Sequence, residues 1–245
     1  MMLIVWLISI VKKDAGIVDP FWGIGFALVA WVVFAQAESS SRMYLLCAMV
    51  TIWAIRLSGY LFVRNLGHQE DSRYAAMREK HGKKFWWVSL LTVFLLQGTL
   101  LWFISFPVIV AGVSSADCPL TWLDLVGFVV WLIGWLFEAI ADWQLAVFKS
   151  NPENKGQVLD KGLWRFSRHP NYFGNFLIWW GIFIVSISAF GWTTIASPLL
   201  MSFLLLKVSG VAMLEKTIGD RRPGYREYCM RTNAFFPGPV KSPKK

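Results

Sequence analysis

The densest run of chemically capable side chains is Gly162-Leu163-Trp164-Arg165-Phe166-Ser167-Arg168-His169-Pro170-Asn171-Tyr172-Phe173-Gly174-Asn175. Two arginines, a histidine, two asparagines and a tyrosine gather where Pro170 marks a helix start. A helix start presents free N–H groups and the positive end of the helix dipole. Arginine adds a planar fork that suits phosphate, so this run is a place for the anionic part of a cofactor. A basic helix start also serves lipid headgroups, and the His-Pro-Asn-Tyr element with Asn175 favours the cofactor.

Glu138 and Asp142 are four residues apart and share one helix face, with Lys149 seven further on. Two carboxylates in a poorly hydrated site repel each other and call for donors. They either meet ligand hydroxyls and amides or lie at the interface and reach into water. Arg56 sits inside an apolar run, where an ionisable group normally faces a cavity or a partner. Asp19-Pro20-Phe21-Trp22-Gly23 opens a helix, either as a plain start or as part of a site. Glu215-Lys216, then Asp220 through Tyr225 and Tyr228 to Arg231-Thr232, mixes Tyr with Arg. That suits a lid over a nucleotide or an amphipathic surface segment.

These residues stand out because the rest of the chain is so apolar. Of 245 residues, 56% are hydrophobic and only 16% charged, against about 25% charged in ordinary soluble domains. Disorder is excluded by the same arithmetic. Aromatics make up 16%, with 15 Trp, which suits lipid and headgroup contact. Cys47, Cys118 and Cys229 are too few and scattered for a disulfide framework or a Cys-rich metal site. No metal site is expected: the three histidines (His68, His81, His169) are dispersed, which excludes a histidine-rich di-iron centre. Neither a GxGxxG nor a Walker loop is present.

A bilayer-spanning helix needs roughly 20 apolar residues. Seven runs qualify or nearly so: 1–11, Phe21 to Ala37, Met43–Val63, Phe85–Val113, Trp122–Phe148, Phe173–Ala189 and Trp192 to Leu214. The first is short. The connections at 12–13, 64–84, 149–168 and 216–245 carry 2, 6, 5 and 8 Lys/Arg, which is 21 of the 24. The opposite connections carry only Arg42. Basic loops stay cytoplasmic. The expectation is therefore an all-α integral membrane protein with about seven spans, the N-terminus outside and the C-terminus cytoplasmic. Its net charge of +9 reads as a topology signal rather than nucleic-acid binding. The first segment lacks the basic start and cleavage site of a signal peptide. One polytopic domain over 1–245 is expected, with a cofactor-binding half at roughly 122–237 and a frayed tail from Phe236.

Arg168 through Gly174, followed by an aromatic-rich span, resembles the C-terminal half of the steroid 5-alpha-reductase superfamily. Val18 through Gly23, Glu138 through Gln144 and Gly224 through Tyr228 resemble a bacterial branch of it. The resemblance covers nearly the whole chain. It implies a membrane enzyme that binds NADPH from the cytoplasmic side of a bacterial inner membrane. It also implies reduction of a C=C bond in a lipophilic, steroid-like or isoprenoid enone that enters from the lipid.

By the same resemblance, Glu138 and Asp142 stand for an acid–amide pair near the cofactor. Lys149 and Arg56 stand for residues that approach its phosphates, and Asn171 and Asn175 for residues beside it. Glu215 occupies the end of the last helix, where members often place His or Tyr. Arg165, Arg168 and Arg231 would add positive charge, and His169, Tyr172, Tyr225 and Tyr228 complete the expected cofactor set. Steroid reductases polarise the substrate ketone with a Glu and a Tyr. No Gln-Glu pair is present here, and Asp19 and Tyr60 are the nearest candidates.

Arg168-His169-Pro170-x-Tyr172-x-Gly174, with Glu215 and the Gly224-Tyr225-x-x-Tyr228 tail, also resembles isoprenylcysteine and phospholipid methyltransferases, whose cofactor is S-adenosylmethionine. A non-enzymatic lipid-binding or partner subunit is the third alternative. Oligomeric state is not legible in the sequence.

Overall fold

The computed structural model describes residues 1–38, 40–114, 119–208, 210, 211, 215 and 222–241. The expected features at Cys118, Leu214, Lys216, Asp220 and Arg221 lie outside these residues. The described chain is helical, with one isolated bridge between Ser167 and Asn233. It clusters into two compact units, Met1–Leu120 and Thr121–Lys245.

In the first unit, α1 (Met2–Lys12), α2 (Val18–Gln36) and α3 (Ser41–Asn65) are followed by a short, mostly polar α4 (Ser72–His81), in which only Tyr74 is buried. The Ser40 hydroxyl caps α3 by accepting from the Met43 amide at 3.2 Å. α2 and α3 lie side by side because Gly23 presents no side chain there. A Cβ on Gly23 would stand 2.7 Å from Ser58 Oγ and 3.1 Å from the Ala54 carbonyl. Phe26 packs edge-on to the fully buried Trp53 on the same seam.

The expected continuous span at Phe85–Val113 is broken. α5 (Phe85–Ser89), a π-helical stretch (Leu90–Leu95) and α6 (Leu96–Ile104) end at Ser105, and α7 (Phe106–Ser114) starts afresh. Pro107 has no N–H to continue the ladder, so the chain turns there. Ser105 closes the end of α6 by donating Oγ to the Leu101 carbonyl at 2.8 Å.

The second unit is built on α8 (Trp122–Ser150) and α9 (Pro170–Ile187), which pack along most of their lengths. A capping box between Thr121 and Asp124 starts α8. Gly127 and Gly134 on α8 face Gly181 and Gly174 on α9. A Cβ on Gly127 would stand 2.7 Å from the Gly181 carbonyl, and one on Gly181 would stand 2.7 Å from the Gly127 carbonyl. Both helices carry these glycines seven residues apart, so the contact repeats every two turns on one face. α10 (Ala196–Phe203) and a π-helical turn (Leu204–Val208) follow, then the short α11 (Tyr225–Arg231).

Five helical runs among the described residues are long and apolar enough to cross a membrane. They are Ala15–Gln36, Ser41–Asn65, Ser72–Ile104, Trp122–Ser150 and Gly191–Val208. α1, with 11 residues, and α9, with 18, are not among them.

Over the described residues 236–241 the tail is not frayed. Gly238 donates its amide to the Phe166 carbonyl at 3.1 Å, and Lys241 donates to the Arg231 carbonyl at 2.9 Å. Phe235 is buried, ringed by Phe173, Phe176 and Phe236. Apolar burial and backbone pairing give this segment what a frayed end lacks.

Candidate functional site

The glycine seam brings the polar residues of α8 and α9 together. Asn175 donates Nδ2 to Glu138 Oε1 at 3.1 Å, and one turn along, Asn171 donates Nδ2 to Asp142 Oδ1 at 3.1 Å. The two chain positions in each pair add to the same number, as antiparallel helices in register require. Glu138 and Asp142 are each only 4% exposed. They therefore do not reach into water, the alternative left open by the sequence. Burying a carboxylate is costly unless donors surround it, and the asparagine amides are such donors.

At the start of α9 the arginines divide. Arg168 forks onto Glu215, with Nε on Oε1 at 2.8 Å and Nη2 on Oε2 at 3.0 Å. Its Nη1 donates to the carbonyls of Thr232 at 2.8 Å and Cys229 at 3.1 Å. Most of its donors are thus engaged within the protein. His169 Nε2 also lies 3.3 Å from Glu215 Oε1, and the His169 ring stacks on Tyr172. The His169 contact and the Arg168 fork outweigh partial burial and hold the Glu215 carboxyl down to about 2.

Arg165 is exposed, and among the described residues its guanidinium makes no hydrogen bond. Lys149 is also exposed. Arg231 pairs with Asp160 at 3.2 Å.

The segment before α9 is held on three sides. Gln144 accepts from the Leu163 amide at 3.0 Å, Trp164 donates to the Ala141 carbonyl at 3.1 Å, and Ser167 donates to the Phe235 carbonyl at 2.7 Å. The Tyr228 hydroxyl donates to the Trp164 carbonyl. Burial pushes the Tyr225 and Tyr228 phenols up, so both stay protonated at physiological pH.

Asp19, Arg56 and Tyr60 belong to the first unit. Arg56 and Tyr60 are half-buried. Asp19 accepts from Tyr74 Oη at 2.8 Å and from Arg73 Nη2 at 2.9 Å, and Gln97 donates to the Tyr74 hydroxyl at 3.3 Å. Beside it, Glu70 accepts from the Ala15 amide at 2.7 Å and pairs with Arg78 at 2.8 Å. These contacts hold the Glu70 carboxyl below its usual value despite partial burial. Sequence reasoning missed Tyr74 and Arg73. The only available signal was their place in a basic loop, which topology already explained.

Among the described residues no three His, Cys, Asp or Glu side chains gather as a metal site.

The architecture and these buried pairs define a helical protein with several membrane-length apolar helices and a polar cluster set into one helix pair. The chain belongs to the family described as protein of unknown function (DUF1295), whose profile matches residues 5–232. It is 24% identical over 266 residues to Uncharacterized protein C594.04c of Schizosaccharomyces pombe, covering 96% of this chain and 76% of that protein. A stretch of 53 residues is 42% identical to the Probable O-methyltransferase ustE of Ustilaginoidea virens, covering 22% of this chain and 18% of that one. No solved structure matches.

Proposed function

We propose that this chain is a membrane-embedded, NADPH-dependent reductase of a C=C bond in a lipophilic enone, within the steroid 5-alpha-reductase superfamily. The observation that carries the reading is the double pairing of Glu138 with Asn175 and Asp142 with Asn171 beside the Arg168–Glu215–His169 cluster. An inert helix pair has little reason to bury two carboxylates. Amides and carboxylates match the hydroxyls and carboxamide of a dinucleotide, while Arg165, Arg231 and Lys149 supply charge for its phosphates. The residues present therefore fit the group.

When bound, NADPH supplies the hydride. The chain's own part is to orient that group through Asn171, Asn175, Glu138 and Asp142, and to exclude water with apolar helices. Arg168 and His169 act through Glu215 as positioning residues. Tyr60 is the proposed donor toward the oxygen on which charge builds, and Asp19, held as an acceptor by Tyr74 and Arg73, is the proposed second substrate-side group. The reading includes seven spans, an outside N-terminus and a cytoplasmic C-terminus, supported by the sorting of 21 of 24 Lys/Arg to alternate connections, and it carries with it the bacterial inner membrane that the resemblance implies.

A second reading is an S-adenosylmethionine-dependent lipid methyltransferase. The local similarity to a probable O-methyltransferase favours it. So does the engagement of Arg168 by Glu215, since that cofactor carries no phosphate to claim an arginine.

Thermal melts of detergent-purified protein with NADPH, NADH and S-adenosylmethionine separate the two. Stabilisation by NADPH, lost in Asn171→Ala together with Arg165→Ala, is expected. Stabilisation by S-adenosylmethionine alone replaces the first reading with the second, and no stabilisation by any of the three removes both.

A further inference from the structure

A hollow of about 370 Å³ opens in the second unit, lined by Asp160, Lys161, Gly162, Arg165, Tyr228, Arg231, Thr232 and Val240. Three of these side chains are cationic and one is anionic, a surplus of two positive charges. Arg165 and Lys161 are exposed, and their charged groups make no hydrogen bond among the described residues. Arg231 is held by Asp160, but that pair is 41% and 39% exposed and is easily exchanged. Arg231 Nε is buried and donates to nothing among the described residues.

The walls are preformed rather than loose. Gln144 fixes the backbone at Leu163, Tyr228 fixes it at Trp164, and Thr232 Oγ1 donates to the Arg165 carbonyl at 3.2 Å. Gly162, at φ +61°, makes the turn into this wall. The cations therefore sit on a rigid frame, which lowers the ordering cost of binding.

We infer that this hollow is a phosphoryl seat, in which Arg165, Lys161 and Arg231 take the oxygens and Asp160 is the internal carboxylate that an incoming phosphate displaces from Arg231. The inference deepens the nucleotide reading by naming where an anionic group sits, yet it stands on the hollow alone. The phosphoryl group could belong to a soluble nucleotide or to a lipid headgroup, and the chemistry of the seat is common to both.

The test is titration of the full-length protein in detergent with inorganic pyrophosphate. Arg165→Gln and Arg231→Gln should each weaken binding about tenfold, the loss expected when a charge-assisted contact is removed. Asp160→Asn should tighten it by removing the competing carboxylate. Arg165→Gln takes away no contact within the fold, so its melting temperature should stay unchanged. No pyrophosphate binding, or binding indifferent to both arginine substitutions, overturns the seat.

Competition assigns the source. Displacement by phosphatidylglycerol but not phosphatidylcholine nanodiscs supports a headgroup, and displacement by NADPH supports a nucleotide. Pyrophosphate binding with no response to any nucleotide upholds the seat and removes the reductase reading. NADPH binding untouched by either substitution does the reverse.

Discussion

Gly134 and Gly174 meet backbone to backbone: a Cβ on either would stand 2.6 Å from the other's carbonyl oxygen. Atoms do not approach that closely, so any side chain at either position must part α8 from α9. Gly134→Ala and Gly174→Ala should each destabilise the protein by about 1–3 kcal/mol, the usual range for overpacking, read as a fall in melting temperature. Gly59 gives the contrast. Nothing lies within 4 Å of its added Cβ, and it sits mid-helix, so Gly59→Ala should be neutral or stabilising by up to about 1 kcal/mol. Equal losses at all three positions would remove the seam from the account.

The asparagine–carboxylate pairs should behave as coupled units. Asn175→Leu leaves the buried Glu138 without one of its donors and should cost about 1–3 kcal/mol. In a double-mutant cycle with Glu138→Gln, a coupling of at least about 0.5 kcal/mol is expected. Strict additivity would show that the 3.1 Å contact contributes nothing.

Acid stability should depend on Glu215. Its carboxyl is held at about 2 in the fold against 4.5 for the free group. The folded state therefore binds the proton less readily than the unfolded one. Its contribution is fully present above pH 4.5, declines as pH falls below that, and is gone near pH 2. Melting temperature measured from pH 6 downward should drop in the wild type, and Glu215→Gln should flatten that part of the curve. An identical acid limb in the variant would place the titrating group elsewhere.

Phe235 and Phe236 are neighbours with opposite exposure, 4% against 58%. Phe235→Ala should cost about 3–5 kcal/mol, as for other buried aromatics. Phe236→Ala should cost much less, although both rings touch Phe173 and Phe176. Chemical denaturation of the two variants checks the order.

In the first unit, Tyr74→Phe removes one donor from the Asp19 carboxylate and leaves Arg73 in place. A stability loss of about 1–3 kcal/mol is expected. If the reductase reading holds, Tyr74→Phe should also slow turnover of an enone more than it weakens NADPH binding, because Asp19 is proposed to act at the substrate.

The apolar runs were legible because a bilayer demands about 20 apolar residues in a row and tolerates few exceptions. Glu138, Asp142 and Arg56 stood out for the same reason. Their partners were less visible, since the pairing of Glu138 with Asn175 depends on the register of two helices. The glycines did carry that register: Gly127 and Gly134 repeat at the same interval as Gly174 and Gly181, a signal that composition alone hides. The fork of Arg168 onto Glu215 joins residues 47 apart, and no local pattern announces such a contact. The break at Ser105 was signalled by Pro107, whereas the ordered tail followed from Phe235 finding a pocket of phenylalanines on α9.

The stretch ahead of α9 takes part of its shape from residues that the ribosome has yet to make when that stretch emerges. Ser167 awaits Phe235, 68 positions later, and Arg168 awaits Glu215, Cys229 and Thr232. The paired helices can assemble early, because their contacts are made between neighbouring segments. The cluster at their head must close last, after a long delay set by sequence separation. Nascent or prematurely terminated chains would thus display a finished scaffold with an unassembled crown.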